Sequence, residues 1–149
     1  MSVIDCHQST FGAQMEPAPA VQAYCFLIRL NIGFWVTFMI DTGAAETCLH
    51  GVPAFRIRQN LRPETLELAS GIGGTCEYYG ERATLVFSDN KRNAVSRTLN
   101  RIDIQKITPT VIMANRGIPS TPSLIGRDIL NRWKFTMDCP NSAICLVTQ

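Results

Sequence analysis

The chain has 149 residues, 46% of them hydrophobic and 17% charged, and its 14 basic and 12 acidic residues leave a formal net charge of +2. This length suits one domain that can bury a core without disulfides or metal, and the composition excludes a disordered or collagen-like chain. So small a net charge supplies no field for nucleic acid or anionic lipid, so neither is expected as a partner, whereas the charge content, below the ~25% of ordinary soluble proteins, points to surface covered by self-association.

Met1 to Ala20 shows no periodicity, holds Pro17 and Pro19, and lacks a basic-then-apolar leader. Residues 1–20 are therefore expected as a flexible N-terminal arm or upstream remnant, and residues 21–149 as a single domain. With no signal peptide, the chain is expected in the cytoplasm or released from a larger precursor. Tyr24 to Leu30 and Phe34 to Ile40 are rich in aromatic and β-branched residues, flank Asn31-Ile32-Gly33, and read as a hairpin. Each is too short for a transmembrane helix.

Thr65 to Ala69 and Thr75 to Tyr79 read as two strands joined by the glycine-rich tip Gly71-Ile72-Gly73-Gly74. Ala83 to Phe87 and Ala94 to Ile104 predict a third hairpin around Ser88-Asp89-Asn90, and Val111 to Ala114 a short strand. A loop from Arg116 to Ser123 leads to Leu124-Ile125-Gly126. Ile129, Leu130 and Trp133 then fall at helical spacing, with Asp128 suited to the positive end of the helix dipole. Lys134 to Asp138 and Ile144 to Thr148 close the chain as strands. The expected fold is all-β with one short C-terminal helix, a closed or sandwich-like sheet structure.

Six cysteines are scattered without a C-x-x-C pair, so they read as free thiols in a reducing compartment. Only Cys139 and Cys145 are placed to meet across a hairpin. Cys48-Leu49-His50 lacks the second ligand pair of a zinc site. Cys48 and His50 would share a strand face as a thiol–imidazole pair, but no third group is evident to orient them.

The residue that most needs explaining is Asp41, a carboxylate directly after the apolar run Phe38-Met39-Ile40. Such a charge is costly unless it is hydrogen-bonded or functional. Thr42 offers a hydroxyl that donates and accepts, and Gly43 lets a backbone N–H approach the carboxylate. Alone, this is equally a strand ending in a turn. Leu124-Ile125-Gly126-Arg127-Asp128 is by itself an ordinary strand-to-helix junction, and the glycine tip lacks the Lys-Ser or Lys-Thr and helix of a phosphate loop.

In this order, the three features resemble the retropepsin-like aspartic proteases, the single-domain family of the retroviral proteases. The resemblance runs from about Tyr24 to Trp133. It implies an acid-protease fold with a closed barrel-like lobe and a flap hairpin. It also implies Asp41, Thr42 and Gly43 as the catalytic loop, and Ala44, Ala45 and the flap tip (Ser70, Gly71, Ile72, Gly73 and Gly74, with Thr75) as substrate-binding. Glu46, Gly126, Arg127 and Asp128 fall to structural and dimer support. Where viral members place acidic residues after the loop alanine, this chain has Ala45 and then Glu46, so an ion pair of Glu46 with Arg127 is expected.

No metal or other cofactor is implied. The family's chemistry needs two carboxylates sharing a proton, this sequence has one Asp-Thr-Gly, and two-lobed relatives carrying both are roughly twice as long. The resemblance therefore implies an endopeptidase active as a homodimer on an extended protein or peptide substrate. Its rival is a non-catalytic, dimeric peptide-binding module of the same fold.

Overall fold

The computed structural model describes residues 1–12, 15–71 and 74–149, with backbone alone at Gly71 and Gly74. The fold is mostly β, as expected, with a few short helices. Strand β1 (Val3–Asp5) and β2 (His7–Ser9) precede the long hairpin of β3 (Ala18–Leu27) and β4 (Ile32–Ile40). In β3, Val21, Ala23, Cys25 and Leu27 alternate into the core, and in β4 Val36, Phe38 and Ile40 do so, the period of a sheet with one buried face.

The hairpin turns one step earlier than expected. Asn31 takes the left-handed conformation (φ 53°) and its N–H donates to the Ile28 carbonyl, so Ile32 and Gly33 already belong to β4. A Cβ at Gly33 would overlap the Tyr24 ring, so this glycine serves a close cross-strand approach rather than the turn.

Strand β5 (Cys48–Leu49) leads into α1 (Gly51–Ile57) and two single turns of 3₁₀ helix at Arg58–Asn60 and Pro63–Thr65. Strand β6 (Glu67–Gly71) then pairs antiparallel with β7 (Gly74–Ser88), Gly71 opposite Gly74. The two strands expected at Thr75 to Tyr79 and Ala83 to Phe87 are thus one strand of 15 residues. Its pairing is irregular between Glu81 and Ala83, and Gly80 leaves room for the Arg101 guanidinium. Strand β8 (Ala94–Gln105) runs back along β7.

Val111 to Ala114, expected as a strand, lies in α2 (Pro109–Asn115). Its β-branched residues are overridden by local signals at both ends. Proline stands at the first helical position, the Thr108 side chain accepts from the Val111 N–H at 3.2 Å, and Arg116 closes the helix in the left-handed conformation.

Strand β9 (Ser123–Ile125) precedes α3 (Arg127–Leu130), and β10 (Trp133–Asp138) and β11 (Ala143–Thr148) form the last hairpin. Trp133 begins β10 and packs edge-on against Phe87. The first residues differ from the expected arm. β1 pairs with β11, Ile4 is 1% exposed, and β2 pairs with β3. Polar and short strands like these lack periodicity of their own and are recruited by partners far away in sequence.

One sheet has the order β1-β11-β10 and the other β2-β3-β4-β9-β5-β8-β7-β6. A further pairing of β3 with β7 joins β3, β4, β9, β5, β8 and β7 into a ring of neighbours. The core fills this ring, with Phe38, Leu49, Leu85, Ile102, Ile104 and Ile125 essentially inaccessible. β9 lies between β4, to which it is parallel, and β5. That insertion brings Ile125 beside Ile40 and so sets Gly126 next to the loop that begins at Asp41. No helix of the described residues is long and apolar enough to cross a membrane.

Candidate active site

Asp41 follows the last residue of β4, and its N–H donates to the Ile125 carbonyl at 3.1 Å, extending the β4–β9 ladder. Beyond it the chain turns sharply. The Ala44 N–H donates to the Asp41 carbonyl at 3.2 Å, and the Gly43 N–H donates to Asp41 Oδ1 at 2.8 Å. A Cβ on Gly43 would stand 3.1 Å from that oxygen, so glycine allows the backbone to approach the carboxylate. Asp41 is half-buried while Thr42 and Gly43 are exposed. The loop thus presents one oriented carboxylate and a neighbouring hydroxyl to the surface.

The loop is clamped from below by the junction of β9 and α3. Arg127 and Asp128 donate their N–H groups to the carbonyls of Ala44 and Ala45 at 2.9 and 3.2 Å. Asp128 Oδ1 accepts the Thr47 hydroxyl at 2.7 Å and Oδ2 accepts the Thr47 N–H at 3.0 Å, while Thr47 Oγ1 accepts from the Gly126 N–H at 3.2 Å. Thr47 is fully buried. Gly126 is the point of closest approach, since a Cβ there would lie 2.5 Å from the backbone carbon and oxygen of Glu46. The two sequence motifs that begin at Asp41 and Leu124 therefore meet, through backbone and one buried threonine.

Glu46 and Arg127 do not pair. No ion pair joins them among the described residues, because the Glu46 backbone is pressed against Gly126 and the Asp128 carboxylate satisfies the loop instead. Loss of hydration and the nearby carboxylates of Asp128 and Asp103 raise the Glu46 pKa, against a smaller opposing effect of Arg101.

His50 is 4% exposed and both its ring nitrogens are engaged, Nδ1 with the Pro122 carbonyl at 2.6 Å and Nε2 with the Tyr78 hydroxyl at 2.8 Å. Its backbone N–H donates to Ser123 Oγ at 3.1 Å. Burial lowers its pKa, partly offset by the Pro122 carbonyl and Asp103, and burial raises that of Tyr78. This histidine clasps β7 to the segment entering β9. The Cys48 thiol, buried and facing Asp103, Asp128, Glu46 and Asp41, is pushed up to about 12 and donates to the Glu46 carbonyl at 3.2 Å. A thiol held protonated and an imidazole with no free nitrogen make no nucleophile–base pair.

Cys139 and Cys145 do not meet either. All six cysteines are free, Cys139 is exposed in the turn, and Cys145 lies opposite Thr136. The hairpin register places Asp138 opposite Ala143, so the two cysteines fall out of step.

Of the expected flap tip, Ser70 and Thr75 face each other with hydroxyls 3.3 Å apart, while Ile72 and Gly73 lie outside the described residues. Thr47 was missed as a site-shaping residue, and His50, weighed with Cys48 as a metal-ligand or thiol–imidazole pair, instead joins the Pro122 carbonyl to the Tyr78 hydroxyl. The spacing Asp41 to Thr47 carries no periodic signal, and no spacing tells which carbonyl and hydroxyl a histidine meets in the fold. No known family model matches the chain, and no curated protein matches it at a significant level.

Proposed function

We propose that the chain is an aspartic endopeptidase of retropepsin-like type, active as a homodimer in which two copies of Asp41 face one another across a two-fold axis. The observation carrying this reading is the clamp of the Asp41 loop by α3 through Ala44, Ala45 and Thr47, which joins two motifs about eighty residues apart that the resemblance assigns to one site. In the dimer the facing carboxylates share one proton, since like charges at contact do not both ionise. The ionised member takes a proton from a bound water, which attacks the scissile carbonyl. The protonated member donates to the carbonyl oxygen as the tetrahedral species forms.

Thr42, exposed at the loop, bonds across the axis to the partner loop. Gly43 holds the carboxylate in orientation through its N–H, and the β6–β7 hairpin closes over an extended peptide as an added strand. The sheet β1-β11-β10 joins the first and last strands, and in this reading it serves as the terminal surface of the dimer.

A peptide-library digest at several pH values from 4 to 7, with and without a transition-state inhibitor directed at paired aspartates, tests the reading. Inhibitor-sensitive cleavage on the acidic side of neutrality is expected. Peptide binding by a dimer that never cuts would favour the non-catalytic module.

A further inference from the structure

The small net charge conceals an uneven distribution. A hollow of about 690 Å³ lies between β8 and α3, and Arg97, Arg101, Arg127 and Arg132 line it with Glu46 and Asp128. A second hollow shares Asn100 and Arg101 with it and adds Arg29, Arg62 and Arg82 beside Glu81. Together they draw seven of the fourteen basic residues and three of the twelve acidic ones. They therefore carry a formal +4, and the remainder of the chain −2.

Part of this charge is spent internally: Arg29 pairs with Glu81, Arg62 lies 4.0 Å from Glu64, and Arg101 pairs with Asp103 at 2.7 Å and Glu67 at 3.5 Å. Arg82, Arg97, Arg127 and Arg132 form no ion pair among the described residues.

The wall of the first hollow is an open strand edge. Six consecutive residues, Ser96 through Arg101, line it. β7 pairs β8 except at the bulge of Asn100 and Arg101, and on its other side β5 reaches only Asp103 and Ile104. An edge of unpaired N–H and carbonyl groups takes an added strand. Between Arg97 and Arg101 the strand bulges, since Leu99 pairs with Ala83 and Ile102 with Glu81, so the extra residue at Asn100–Arg101 breaks the alternation. Arg97, Arg127 and Arg132 remain without an internal ion pair among the described residues, and guanidinium forks hold carboxylates in two-point contact.

No aromatic side chain lines either hollow to stack a base, and the open strand edge offers main-chain groups that an extended polypeptide can pair. We infer that this arginine-walled edge binds an extended acidic stretch of polypeptide. Because Glu46, Arg127 and Asp128 belong both to the hollow and to the junction that clamps the Asp41 loop, such a stretch would select substrates with acidic residues outside the cleaved bond. This consequence rests on the protease reading, but the binding does not.

The test uses the full chain carrying Asp41→Asn and a fluorescein-labelled octaglutamate peptide followed by anisotropy. Saturable binding is expected. It should weaken at least tenfold in Arg97→Ala/Arg132→Ala and remain within twofold in Arg56→Ala/Lys91→Ala, which removes the same charge outside the hollows. Absence of binding, equal loss in both double variants, or tighter binding of an octamer of deoxythymidylate at the same site would overturn the inference. In the active chain, kcat/KM for a cleavable peptide with and without a glutamate extension reports selection separately. Binding without any cleavage would sink the protease reading and leave the acidic-segment site standing.

Discussion

Thr47 and Asp128 are joined by two hydrogen bonds, from the threonine hydroxyl to Oδ1 at 2.7 Å and from its N–H to Oδ2 at 3.0 Å. The hydroxyl oxygen also accepts from the Gly126 N–H at 3.2 Å. One buried side chain thus ties the Asp41 loop to α3. Thr47→Val keeps the shape but leaves the Gly126 N–H without an acceptor and Asp128 one donor short. A loss of about 1–3 kcal/mol in urea unfolding is expected, with Thr47→Ser recovering most of it. A Thr47→Val chain as stable as the parent would mean that the clamp rests on backbone contacts alone.

Glu46→Gln separates an ion pair from a carboxylate held among its own kind. The Glu46 pKa is raised in the folded chain, first by lost hydration and then by Asp128 and Asp103. Its contribution to stability is therefore complete below the unfolded value of 4.5 and is lost as pH rises through the raised folded value. Glu46→Gln should leave stability at pH 7 unchanged or slightly higher, the difference vanishing below pH 4. A clear loss at pH 7 would restore the pairing with Arg127.

His50 acts with the opposite sign. Its folded pKa lies below the unfolded 6.5, so the stability it contributes as a neutral ring is complete above about 6.5 and is lost as pH falls through the lowered value. The urea midpoint of the parent should decline on acidification below that point. His50→Asn should start lower, having lost the bonds to Pro122 and Tyr78, and respond less to pH across the same range. Parallel declines would place the titration elsewhere. Since His50 holds β7, whose first residues form the expected flap, acid that activates a carboxylate dyad would also loosen this clasp.

The β3–β4 hairpin was readable because its members alternate cleanly. Val21, Ala23, Cys25 and Leu27 announce β3 whatever surrounds them. Asp41 and Gly43 were readable for a related reason, a charge at the end of an apolar strand followed by the one residue that lets an N–H reach it. What stayed hidden depends on partners distant in the chain. β1 and β2 carry no pattern, yet β1 is ordered by β11 at the opposite end of the sequence. The helical Pro109–Asn115 was misread because β-branched residues were weighed above the Thr108-Pro109 start that governs them. The choice of Asp128 over Glu46 as the anchor was set by the 2.5 Å approach at Gly126, which no spacing rule contains.

Asp41→Asn preserves an oxygen to accept the Gly43 N–H at the position it now occupies. The variant should stay within about 1 kcal/mol of the parent in stability. It should lose peptide cleavage by a factor of about 10²–10⁴ or more, the usual worth of acid–base catalysis. Mass spectrometry of digests beside thermal unfolding of the same preparations reads both. Cleavage retained in a clean Asp41→Asn preparation would remove Asp41 from the reaction.

The shared site is tested most directly by refolding parent and Asp41→Asn chains together in varied proportion and measuring cleavage at constant total protein. If each active site needs Asp41 from two copies, activity falls as the square of the parent fraction, to about a quarter at equal mixing. Activity that follows the parent fraction in a straight line would show that one chain carries a complete site, and would contradict the account.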